Sequence, residues 1–173
     1  MPFTPRTFRE LIEADLRRAA RLIIKVQDEL DWHFHLATPE GDYAIAMTMP
    51  NDDHERRMML RRVATFMAWK QVLGFTLAVE IYEPDAVHCV GISARERASC
   101  IARIRREPRP WTAANFSSVE WLPEASIDPV IATLLPMGSR AMTPKEIAAL
   151  QKWFGVDGKF PAVHVPSGEV RGL

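Results

Sequence analysis

Apolar residues near the start of the chain recur three and four positions apart: Leu11, Ile12, Leu16, Ala19, Ala20, Ile23, Val26 and Leu30. Glu13, Arg17, Arg18, Arg21 and Lys25 fall between them. A helix of about 3.6 residues per turn gathers the first set into one stripe and turns the second set away from it. The pattern predicts an amphipathic helix over residues 7–29. Thr7 and Glu10 have capping-box spacing, so each side chain can bond an orphan amide at the helix start.

The period then drops to two. Trp32, Phe34 and Leu36 alternate with His33, His35 and Ala37, which predicts a half-buried strand. Pro39-Glu40-Gly41-Asp42 reads as a turn, and residues 43–49 as a second strand, making a hairpin. A second helix is predicted over residues 53–73. Acidic residues stand at its positive end, and Gly74 is expected to stop it. Residues 76–82, 87–93, 97–105 and 116–122 are rich in β-branched and aromatic side chains and predict four further strands. A tight turn with Ala94 and Arg95 at its tip would set Cys89 opposite Cys100. Asp128-Pro129 opens a short helix that ends by Pro136. Thr143-Pro144-Lys145-Glu146 joins a capping box to a proline at the first helical position, and Gly155 ends the helix it begins. The last residues, FPAVHVPSGEVRGL, hold two short extended pieces that are apolar enough to dock on the body.

The element order is α-β-β-α-β-β-β-β-α-α. Short links between successive strands imply antiparallel pairing, because parallel pairs need long crossovers. The expected class is α+β: a mostly antiparallel sheet of five or six strands with helices packed on one face. No repeat, low-complexity run or long linker interrupts it, so residues 1–173 are expected to form a single globular domain.

Composition narrows the function classes. The chain has 173 residues, 47% of them hydrophobic and 25% charged, the values of an ordinary globular domain. Lys and Arg number 22, as do Asp and Glu. With no net charge there is no global field toward nucleic acid or an anionic membrane, and self-association is favoured. No apolar run has the length of a membrane span and no signal-peptide pattern opens the chain, so a cytoplasmic protein is expected. Two Cys fit a reducing compartment and exclude a disulfide scaffold.

Three stretches carry candidate chemistry. In HFHLATPEG, His33 and His35 would project from one strand face about 7 Å apart. With Glu40 as a third ligand they could hold a divalent metal that activates water in a hydrolase-like reaction. That spacing resembles the first motif of the cupins. The glycine expected before the motif and the second motif with its further His are both missing, and a long opening helix does not suit a small β-barrel. The chain is not assigned to that family. The plainer reading is that Trp32, Phe34 and Leu36 face a core while the two His face solvent or a neighbouring strand. The second stretch, RERASCIARIRREPRPW, holds six Arg and two Glu. Its candidate contacts to nucleic acid or another anion are Arg97, Arg103, Arg105, Arg106 and Arg109, with Trp111 alongside for stacking. Glu80 and Glu83 nearby are candidate ion-pair partners that would neutralise them. The third stretch is the cysteine pair, expected to be two small buried side chains.

MTPKEIAALQKWFG could begin a helix-turn-helix, but VDGKFPAVHV cannot supply a recognition helix. No nucleophile elbow, P-loop or dinucleotide fingerprint is present. The sequence therefore points first to a non-enzymatic interaction or accessory domain without a cofactor, binding a protein partner or a second copy of itself. Trp, Met and Arg are abundant, and all three are enriched at interfaces. The alternatives are the metal-dependent enzyme at His33/His35 and a nucleic-acid accessory protein using the 95–109 basic face.

Overall fold

In the computed structural model the described residues are 8–26, 30–105, 115–135 and 140–165. The first helix, α1, spans Phe8–Val26. It is followed by the hairpin β1 (Trp32–Thr38) and β2 (Gly41–Met47), and by helix α2 (Asp53–Trp69). Three longer strands come next: β3 (Gly74–Tyr82), β4 (Asp85–Ser93) and β5 (Arg97–Arg105). Among the described residues these are followed by β6 (Asn115–Phe116), β7 (Glu120–Leu122), α3 (Pro129–Ala132), α4 (Pro144–Phe154) and β8 (Val163–Val165). The predicted α+β class stands, and the element order roughly matches the expected one.

Seven strands lie side by side in the order β6-β5-β4-β3-β1-β2-β8. All their pairings are antiparallel. The eighth strand, β7, pairs with β5 on the edge that β6 also uses. The sheet is thus larger than the five or six strands expected, for two reasons. The predicted strand over 116–122 divides where the Ser117 hydroxyl accepts the Arg103 N–H at 3.0 Å, an interruption of the ladder. The tail adds β8 along β2. The β4–β5 turn has Ala94 and Arg95 at its tip as predicted, and Cys89 pairs with Cys100.

The helices cover both faces rather than one. Phe34, Leu36, Phe75, Leu77, Val90 and Ile92 point to the face where α2 and α4 lie, and join Met59, Val63, Phe66, Leu150 and Phe154 in the larger core. Neighbouring residues of alternate parity, Ala78, Val87, Cys89, Cys100 and Ala102, point the other way. They meet the predicted stripe of α1, with Ile12, Leu16, Ala19, Ala20 and Ile23 all buried. The sequence pattern missed this because the central strands β3 and β4 are apolar on both sides, and the parity of a single strand does not say which helix lies where.

Helix ends follow the local chemistry. The Asp52 side chain accepts the Glu55 amide at 2.7 Å and starts α2. The helix ends at Trp69, earlier than expected, because Gln71 takes a left-handed conformation at φ 53°. The amide of Val72 then reaches back to the Met67 carbonyl at 3.0 Å, closing a Schellman-type cap without glycine. The capping box of Thr143 and Glu146 forms in full. The capping pair proposed for α1 includes Thr7, which lies outside the described residues. So do all the residues between Arg105 and Asn115 and the second extended piece of the tail.

Candidate functional site

The face of β1 that carries His33 and His35 looks toward α1, not toward open solvent. His35 is buried, with 7% of its side chain exposed. Its Nδ1–H donates to Asp15 Oδ2 at 2.8 Å, and its Nε2–H donates to Asp42 Oδ2 at 2.8 Å. The same Asp15 oxygen accepts the Thr76 hydroxyl at 2.7 Å. Arg18, one turn along α1, places Nη1 2.8 Å from Asp15 Oδ1. Thr76 is the direct cross-strand neighbour of His35, so helix, hairpin and central strand all converge on one carboxylate.

Burial opposes a charge on His35. The hydrogen bonds and negative charges of Asp15 and Asp42 outweigh it and raise the pKa from 6.5 to about 9. Burial would likewise raise the Asp15 pKa, but the His35 hydrogen bond and charge, with Arg18 and Thr76, hold it below the ordinary 3.8. The cluster holds two cations, Arg18 and His35, and two anions, Asp15 and Asp42. It is a neutral, buried ion network in which both nitrogens of His35 are taken. A histidine so placed has no lone pair for a substrate or an ion. What the arrangement does is fix the register of α1 on the sheet, since a buried charge left unpaired is very costly.

His33 and His35 do share a strand face as predicted. Glu40 does not join them. It is exposed in the turn, and the carboxylate delivered to His35 is that of Asp42. His33 is half-buried; burial lowers its pKa, with Asp31 opposing and Arg18 adding to the effect. Among the described residues no three His, Cys, Asp or Glu side chains are grouped to hold one ion. The sequence reading overlooked Asp15 and Asp42. Asp15 had a signal: it is an acid within the apolar stripe, between Ile12 and Leu16, where only a partnered charge is tolerated.

The basic face is open in part. Arg97, Arg103 and Arg105 are exposed on β5 and alternate with buried neighbours. Arg103 lies 3.8 Å from Glu120. Glu80 is turned to the opposite face of the sheet, where it accepts the Leu30 amide at 2.9 Å. Arg106, Arg109 and Trp111 lie outside the described residues. Cys89 and Cys100 are free thiols, both buried beneath α1. Burial pushes the Cys89 thiol well above 9.0 and that of Cys100 up to about 12, away from the reactive thiolate.

At the far edge of the sheet lies a feature with no sequence signature. The end of α2, helix α4 and strand β2 enclose an open groove of about 690 Å3. Its floor is aromatic: Tyr43, Phe66, Trp69 and Phe154. Phe66 meets Tyr43 and Trp69 edge-on, at ring separations of 5.7 and 5.8 Å. Lys70 and Lys152 stand on the rim, with Asp157 beyond them. The Lys70 ammonium is 4.1 Å from the Trp69 ring centre and 5.4 Å from that of Tyr43. Val156, on the lip, is 93% exposed. His164 of β8 lies against Tyr43, ring centres 5.1 Å apart.

No family model matches the chain, and comparison with curated proteins and with solved structures gives no significant match. No helix among the described residues is long and apolar enough to cross a membrane.

Proposed function

We propose that this protein is an interaction module whose groove between α2, α4 and β2 receives an acidic segment of a partner protein bearing an aromatic or aliphatic anchor. The observation that carries the reading is the aromatic floor beneath two lysines, with Val156 standing free at the lip. An apolar concavity of this size with a few polar groups at its edge is the usual form of a binding site. Tyr and Trp give contact area at low entropic cost, and rim lysines favour and orient an acidic partner. The closed hydrogen bonding of His35 supports binding over chemistry at the sequence-predicted histidine pair.

The test is fluorescence-anisotropy titration with short acidic peptides carrying one Trp, against peptides with Lys in place of the acids. Micromolar binding of the acidic set is expected. Lys70→Glu with Lys152→Glu should weaken it about tenfold or more. Absence of binding, or indifference to the lysine changes, overturns the reading. A dimer that dissociates on Val156→Glu would replace the partner segment by a second copy of the chain.

A further inference from the structure

A separate cavity of about 290 Å3 opens beside α1, at the sheet edge away from the groove. Its floor is apolar, formed by Leu16 and Ala20 of α1, Ala102 of β5, Phe116 of β6 and Val119 of the β6–β7 connection. Its mouth carries Arg17 and Arg21. These arginines are four residues apart, so they stand on one side of the helix, where like charges repel. Arg17, itself exposed, is partly balanced by half-buried Glu13 3.5 Å away. Arg21 has no carboxylate partner among the described residues. The hydroxyl of Ser118, exposed at the same mouth, is a further donor. Ser117 is already committed: its hydroxyl accepts the Arg103 amide and donates to the Ser118 carbonyl at 2.8 Å.

An apolar slot on its own would name no occupant. Here charge and shape specify one together. A guanidinium with no carboxylate partner among the described residues, beside a second arginine, calls for an anion, and guanidinium groups match carboxylate and phosphate oxygens with paired hydrogen bonds. The slot below them, lined by Leu16, Ala20 and Phe116, calls for a hydrocarbon part. Its volume lies at the small end of ligand sites, which limits that part to about the size of a short acyl chain or one aromatic ring. We propose that this cavity binds a small amphipathic anion, a carboxylate or phosphate monoester. Its head would lie on Arg17 and Arg21 and its apolar tail on Leu16, Ala20 and Phe116.

The experiment is a titration of the whole chain followed by amide chemical shifts. The probes are octanoate, phenyl phosphate, neutral octanamide and inorganic phosphate. Octanoate or phenyl phosphate should shift the amides of residues 16–21 and 116–119 and leave the groove around Trp69 unmoved; which one binds more tightly shows which pairing of head group and tail the site fits. Octanamide and inorganic phosphate, each lacking one half of the ligand, should bind at least about tenfold more weakly. Arg17→Gln with Arg21→Gln should cost the anion probes a similar factor. Val119→Trp, at a half-buried position of the floor, should fill the slot while the remaining spectrum stays native. The proposal falls if neither anionic probe shifts these amides, if octanamide binds as well as octanoate, or if the arginine changes have no effect.

Discussion

His35 Nδ1 lies 2.8 Å from Asp15 Oδ2, joining the central hairpin to the helix that covers it. Because Asp15 also receives Thr76 and Arg18, it is the hub of the buried network. Replacing it leaves buried His35 with Asp42 alone to balance it, and Arg18 and the Thr76 hydroxyl without their carboxylate. Asp15→Asn is therefore expected to destabilise the protein by about 3 kcal/mol or more in urea unfolding. A loss near zero would show that α1 is held by apolar packing alone.

The same contact makes stability depend on pH. The folded pKa of His35, about 9, exceeds the ordinary 6.5. The stabilisation is complete below about pH 6.5 and is lost as pH rises through about 9; a shift of this size corresponds to roughly 3 kcal/mol. Unfolding free energies measured from pH 6 to pH 10 should fall across this window (about two to three pH units). His35→Gln should flatten the curve. Asp15 works in the opposite sense: its pKa is depressed, so its contribution is present above the ordinary 3.8 and fades as pH falls through the folded value.

Gly91 sets how closely α1 approaches β4. A Cβ there would overlap Ile12 Cγ1 and Cδ1 and stand 3.0 Å from Phe8 Cζ. Ile12 is fully buried and has no room to swing aside. Gly91→Ala should therefore cost roughly 1–3 kcal/mol through overpacking, measurable as a lower urea midpoint at unchanged slope.

The cysteines give a direct report of the helix–sheet seam. Both thiols are buried and held in the protonated form. A water-soluble disulfide reagent should modify them slowly in the native protein and rapidly in urea. The native rate should rise with Asp15→Asn, because loosening α1 uncovers both. Fast native modification would contradict the seal that α1 provides.

Thr143 closes the capping box of α4, accepting the Glu146 amide while Glu146 accepts the Thr143 amide at 2.8 Å. Arg140 and these bonds hold the Glu146 carboxyl down to about 2. Thr143→Ala should lower stability by about 1 kcal/mol. Because α4 walls the groove, it should also weaken acidic-peptide binding.

Local chemistry along the chain was enough to determine most of the elements, though not where α2 stops or that the 116–122 strand divides. The three-and-four spacing of Ile12, Leu16, Ala19 and Ile23, the alternation through Trp32–Leu36, the Ala94-Arg95 turn that pairs Cys89 with Cys100, and the Thr143 capping box are all interactions between near neighbours. Each leaves its mark in a short window of sequence. Tertiary structure alone decided which faces met. Asp15 and His35 are separated by 20 residues and Asp15 and Thr76 by 61, so no spacing rule links them. The central strands β3 and β4 are apolar on both sides, which hid that α1 lies on one face and α2 and α4 on the other. Tyr43, Trp69, Lys152 and Val156 form a groove only because β2 is brought beside two helices distant in the chain. The histidine pair was legible as a pattern, but its partners and its burial were set by long-range packing, which turned a metal-like motif into a closed ion network.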